Sequence, residues 1–242
     1  MMLQPVNIKD SRLNHNLLNF YDDDLVYSEA QRQSYLDIMD SRIVSCSAWW
    51  DPAFGSAQKS KKGDSSVLAI VFTDEGGNHY LHYMSYIKVE CAEREDEATL
   101  QCQKVAEMLQ RFYVPSVAIE INGLGKFLPA ILRRELGVKN IACTVVEKSS
   151  TQNKALRILE SFDAVLAARA LHVHESVKQT PFLIEMMEWQ PDKKNGCDDG
   201  LDAVAGALSL EPARIKRFYT NADKRWSVGA SQGHNAKTDF EV

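Results

Sequence analysis

Apolar residues come in short strand-like runs in the first half of the chain, and at helical spacing in much of the second. Residues 42–50 form a nearly continuous apolar stretch closed by Asp51-Pro52, which predicts a first core strand. Proline forces the residue before it into extended backbone, so Asp51 should stand at that strand's carboxyl end. A second strand is predicted over residues 66–73, a turn over 74–78, and a Tyr-rich third strand over 79–89. Their short connections make the three an antiparallel meander. The texture then changes. Ala98, Cys102, Val105, Leu109 and Phe112 share one helical face within residues 93–113, and Val114-Pro115 stops that helix. A fourth strand (117–121), a helix (125–136), a turn at Gly137–Asn140 and a fifth strand (141–146) follow. Strand alternating with helix implies parallel pairing through crossovers. Beyond them the pattern predicts a helix over 152–170, a short strand over 171–174, an amphipathic helix over 179–188 and a last core helix ending near residue 210. Before the first core strand, residues 28–39 look helical. The fold class is therefore α/β: a three-stranded meander joined to two parallel strands, with helices on the faces.

Composition adds bounds. The chain has 242 residues, 45% hydrophobic and 25% charged, which suits one sizeable domain with extensions. We expect a lead-in or linker over residues 1–41, a domain over 42–212 and a basic, partly disordered tail over 213–242 that carries Arg214, Lys216, Arg217, Lys224 and Arg225. No apolar run approaches the roughly 20 residues a bilayer requires, and no secretory pattern opens the chain. Five cysteines without a CxxC pair argue for free thiols and against a zinc site. A net charge of −5 does not advertise a nucleic-acid binder, but an acidic site lowers net charge while local basic patches still meet phosphate. No Gly-rich phosphate loop is visible.

The candidate chemistry is acidic. In Asn195-Gly-Cys-Asp-Asp-Gly-Leu-Asp202, Asp199 and Asp202 lie three apart, on one face of the helix they begin. Two readings stand side by side. Asp199 can be an N-cap and Asp202 a first-turn acid, or the two can hold a hard divalent cation. Glu120 sits in an apolar strand, where an unpaired charge costs several kcal/mol, so it needs a partner or a metal. If the first and fourth strands are neighbours, Asp51 and Glu120 emerge on the same sheet edge, where the strand direction switches. Asp64 flanks the second strand as a cap or a supporting residue. Lys148, Lys154 and Arg157 are ordinarily solvated residues, in a place that also suits phosphate contacts. For His172 and His174 a structural role is favoured, and Trp49 and Trp50 read as core.

Taken in order, Asp51-Pro52-Ala53-Phe54-Gly55, Gly63-Asp64-Ser65-Ser66-Val67, residues 117–123, Asn153-Lys154-Ala155-Leu156-Arg157-Ile158 and Cys197-Asp198-Asp199-Gly200-Leu201-Asp202-Ala203 resemble the nuclease domain of tailed-phage large terminase subunits, over residues 42–210. The resemblance implies a ribonuclease H-like, resolvase-like sheet of five strands in the order 3-2-1-4-5. It implies that Asp51, Glu120 and Asp202 are the metal-binding and catalytic acids, that Asp199 is a further ligand and that Asp198 is their neighbour, with Asp64 favoured as a supporting residue on its own position. The implied activity is cleavage of concatemeric double-stranded viral DNA during packaging. Two Mg²⁺ or Mn²⁺ ions about 3.5–4 Å apart would clamp the scissile phosphate, with Asp51 bridging them. Lys59, Lys61, Lys62, Lys148, Lys154 and Arg157 become candidates to hold the DNA backbone, which carries little sequence information. The implied partners are double-stranded DNA, a terminase ATPase domain, a small terminase subunit and a portal protein. The implied setting is the cytoplasm of a bacterial host, without membrane or virion association. The family's large subunit also carries an ATPase with a Walker A loop, which is missing here, so the expectation is a nuclease portion or a stand-alone relative. A junction resolvase, an RNA–DNA hybrid nuclease and a catalytically silent DNA-binding or docking module are the alternatives.

Overall fold

A computed structural model describes residues 13–30, 33–54, 65–89, 96–121, 126–149, 152–191, 197–215 and 218–219. Its centre is β4 (Ser41–Asp51), which pairs antiparallel with β5 (Ser66–Asp74). β5 in turn pairs antiparallel with β6 (His79–Ile87). On its other side β4 pairs parallel with β7 (Ser116–Glu120), and β7 with β8 (Thr144–Lys148). The five expected strands therefore lie in the expected order, 3-2-1-4-5, with three antiparallel and two parallel.

The sheet is larger than five strands. It counts eleven. β9 (Leu171–His174) adds to β6 in parallel, and β1 (Asn19–Tyr21) adds to β9. β2 (Val26–Ala30) and β3 (Gln33–Ile38) form an antiparallel hairpin, and β3 continues onto the start of β4. Two-residue strands β10 (Ala213–Arg214) and β11 (Phe218–Tyr219) pair with β4 and β3. The lead-in expected over residues 1–41 thus contributes three strands, and the tail expected from residue 213 contributes two.

The helix expected over residues 28–39 is replaced by the β2–β3 hairpin. The reason is burial with period two at its end: Leu36 and Ile38 are buried, while Tyr35 and Asp37 are partly exposed. Met39 and Asp40 both take positive φ (50° and 58°), the conformation of a two-residue turn that matches strand twist. The fifth strand begins three residues later than expected, because Gly137 belongs to helix α2 (Leu128–Val138) and the chain turns instead at Asn140, φ 53°. Ile141 N–H closes that helix end on Leu136 O at 2.9 Å. Helices α1 (Glu97–Arg111) and α3 (Lys154–Ala167) end in the same way, at Tyr113 and Arg169, without glycine.

Alternate residues of the central strands feed two cores, as a sheet covered on both faces requires. Ala48, Trp50, Leu68, Ile70 and Phe72 pack with α1 and α2. Trp49, Val67, Ala69 and Val71 pack with α3, α4 (Phe182–Glu188) and α5 (Asp199–Ser209). Gly206 lets α5 close on the sheet, since a Cβ there would sit 2.4 Å from the Trp49 ring. Trp49 and Trp50 are core, as expected. Cys46, Cys102, Cys143 and Cys197 are free thiols. Among the described residues no helix is long and apolar enough to cross a membrane.

Candidate metal centre

β4 and β7 run parallel in the register Trp49 opposite Ala118 and Trp50 opposite Ile119, so Asp51 and Glu120 follow at neighbouring strand ends. This is the edge at which pairing changes from antiparallel to parallel. Gln101 of α1 steadies the turn beyond Asp51, because its amide donates to Ala53 O at 2.8 Å. Asp202 enters from the first turn of α5, on the opposite side from α1. One carboxylate oxygen from each of Asp51, Glu120 and Asp202 lies within 4.8 Å of the other two. Glu120 and Asp202 are buried, and Asp51 is partly open.

Carboxylates brought together in this way repel, and burial removes the water that would screen them. Burial first, then the Glu120 and Asp202 charges, push Asp51 up to about 7 against the pull of Lys154. Burial also raises Asp202, opposed by Lys154 and Arg157. The donor set is all carboxylate oxygen, with neither His nor Cys in the trio, which suits a hard divalent cation such as Mg²⁺ or Mn²⁺.

Two cations on α3 already lean on these acids. The Arg157 guanidinium, itself buried, donates from Nη2 to Asp202 Oδ1 at 2.6 Å and to Glu120 Oε2 at 3.1 Å. Its Nε adds a bond to Asp202 Oδ1 at 2.9 Å. Lys154 Nζ lies 2.7 Å from Asp198 Oδ1 and 3.6 Å from both Asp199 Oδ1 and Asp202 Oδ2. Burial alone would depress this amine, but the three aspartates raise it. Spacing of three residues put Lys154 and Arg157 on one helix face; that face turns inward to the acids rather than outward to solvent. Lys148 is different: it is exposed, opposite Glu120 in the β7–β8 register. Lys59, Lys61, Lys62 and Asp64 lie outside the described residues.

The cap reading divides on geometry: Asp202 does lie in the first turn of α5, but Asp199 is not its N-cap. Asp198 holds the cap position of α5, but its side chain makes no capping bond. Asp199 Oδ2 instead accepts from Ser65 N–H at 2.7 Å. The free N–H groups of Gly200 and Leu201 donate to Glu185 Oε2 of α4, at 2.9 and 3.2 Å. Tyr86 Oη donates to Glu185 Oε1 at 2.8 Å, and burial raises the Glu185 carboxyl. Glu185 escaped the sequence reading. Its signal was an acid on the apolar face of α4, beside the buried Phe182 and Met186. His172 and His174 stay structural: His172 stacks on Tyr80 at 4.8 Å, and His174 Nδ1 accepts from Ser176 N–H.

Comparison with solved structures finds several likenesses at low identity. The human cytomegalovirus terminase nuclease domain is 15% identical, covering 68% of this chain and 82% of its own, with a TM-score of 0.47. The large terminase nuclease of thermophilic phage G20c, solved with bound magnesium, is 15% identical, covering 81% and 94%, with a TM-score of 0.47. T. thermophilus RuvC in complex with a Holliday junction substrate is 16% identical, covering 67% and 90%, with a TM-score of 0.34. No curated protein matches the chain. The family comparison reaches further: residues 48–211, the stretch that holds all three converging acids, match the terminase RNaseH-like domain, and the chain belongs to that family.

Proposed function

We propose that the chain is a metal-dependent DNA endonuclease that cuts concatemeric double-stranded DNA during genome packaging. The observation that carries this reading is the convergence of Asp51, Glu120 and Asp202 within 4.8 Å at the switch point of a ribonuclease H-like sheet. Asp51, Glu120 and Asp202 would hold one divalent ion, and Asp199, which shares Lys154 with Asp202, would help to hold a second. A bound ion supplies Lewis acidity at the phosphate and a water acidic enough to attack at neutral pH.

The chain's own residues do the rest. Asp51, the partly open member, faces the approach of the phosphate, while Glu120 and Asp202 are held from behind by Arg157. Lys148, exposed beside Glu120, is available to a backbone phosphate. Lys154 and Arg157 offset repulsion among the acids, so that five carboxylates (Asp51, Glu120, Asp198, Asp199, Asp202) can face one region.

The test is cleavage of supercoiled plasmid by purified protein with Mn²⁺ or Mg²⁺. Asp51→Asn should reduce the rate roughly 10³-fold, the worth of several kcal/mol of charge stabilisation, with an unchanged circular dichroism spectrum. Equal cleavage by that variant overturns the site. A four-way junction and an RNA–DNA hybrid, run beside the plasmid, tell a packaging nuclease from a resolvase or a hybrid nuclease.

A further inference from the structure

We propose that Glu185 is a positioning residue for the acidic site, capping α5 from another helix and so holding the first turn that carries Asp202 in place; the inference rests on the metal-site reading above. A helix start leaves backbone N–H groups without partners, and the residues that ordinarily take them are Asp, Asn, Ser or Thr at the cap. Here Asp198 holds the cap position and Asp199 follows it. Either carboxylate folded back onto the N–H groups of its own helix would turn away from Lys154 and the other acids. Glu185 takes that role from 15 residues away in sequence, through bonds of 2.9 and 3.2 Å to Gly200 and Leu201 N–H. Its other oxygen accepts from Tyr86 Oη at 2.8 Å, so both oxygens are engaged. Glu185 is 5% exposed, so it has no water to turn to.

Gly200 completes the device. A Cβ there would lie 1.9 Å from Tyr86 Oη and 2.8 Å from Glu185 Oε2, so the approach needs a residue without a side chain. With the N–H groups satisfied from α4, Asp198 and Asp199 turn to Lys154, and Asp202 to Lys154 and Arg157. The negative charge of Glu185 also complements the positive end of the α5 dipole. Glu185 touches none of the three converging acids through any bond described above; it acts through the backbone that carries one of them.

Calorimetric titration of Mn²⁺ into the metal-free protein, with cleavage kinetics alongside, tests this. Glu185→Ala should weaken Mn²⁺ binding by about 10–100-fold, the scale seen when a group that orients a ligand is removed. It should lower kcat and leave KM for DNA unchanged. Glu185→Gln keeps an acceptor for both N–H groups and should restore most of the affinity. If Glu185→Ala does not fold, Glu185→Asp, still charged but one methylene too short, carries the test with the same expected loss. Wild-type Mn²⁺ affinity in a folded variant whose melting temperature alone has dropped overturns the inference and leaves the metal site standing. Failure of the wild-type protein to bind Mn²⁺ overturns both.

Discussion

His82 and Asp202 are each 4% exposed, yet the same sheet treats them in opposite ways. His82, on β6, sits among Tyr21, Phe72, Phe112 and His174, with ring centroids 5.0–6.0 Å away. Tyr21 Oη meets its Nδ1 at 2.8 Å, and burial pushes it down to about 4, so it stays neutral. Asp202 is surrounded by other carboxylates and answered by Lys154 and Arg157. One region meets burial by discarding charge. The other concentrates charge and counters it with cations. Burial is therefore not what distinguishes a site; retained charge is, because a buried charge persists only where partners hold it.

The sharpest way to break this contrast is Arg157→Met, which fills a similar volume without the guanidinium. It leaves Glu120 and Asp202 buried without their shared partner. Removing one member of a buried ion pair costs about 3–5 kcal/mol, to be read by urea unfolding in EDTA. Millimolar Mn²⁺ should recover part of that loss, since a cation again answers the acids. A loss below about 1 kcal/mol would mean that the acids shed their charge as His82 does, and the two regions would no longer differ.

A smaller effect is expected on the other side. Tyr21→Phe deprives buried His82 of its partner and should cost about 1–3 kcal/mol. Mn²⁺ affinity and cleavage should stay at wild-type values. A change in either would join the aromatic cluster to the site.

The site's three acids were legible in the sequence because each sits at an element end that the chain marks locally. Asp51 precedes a proline, Glu120 interrupts an apolar strand, and Asp202 follows a polar turn into a small-residue helix. The meander and the parallel pair were legible for a related reason: short connections force antiparallel neighbours, and helical crossovers force parallel ones, whereas the adjacency of the first and fourth strands was implied only by the family resemblance. What stayed hidden depends on tertiary contact. The spacing of Lys154 and Arg157 shows that they share a face, but not which way it turns. Glu185 caps a helix it does not belong to, and no local pattern encodes that bond. Residues 28–39 were read as helix in part because the turn from β3 into β4 uses Met39 and Asp40 at positive φ, where glycine or asparagine would have announced it.

The finest test of the contrast is the pH dependence of stability in metal-free protein, because the two regions pull in opposite directions. His82 drops from an ordinary 6.5 to about 4, so the unfolded chain takes the proton more readily. Its stabilisation is whole above pH 6.5 and is lost as pH falls toward 4. Asp51 rises from 3.8 to about 7, so here the folded chain takes the proton more readily. Its stabilisation is whole below pH 3.8 and is lost as pH climbs to about 7. Over pH 4 to 6.5 the slopes oppose, and the wild-type melting temperature should vary little on their account. Asp51→Asn removes one slope, so melting temperature should rise with pH across that window. His82→Asn, which keeps a hydrogen-bonding group near Nδ1, removes the other, so melting temperature should fall with pH. Parallel profiles for the two variants would mean that neither group is displaced by burial in the way its surroundings require.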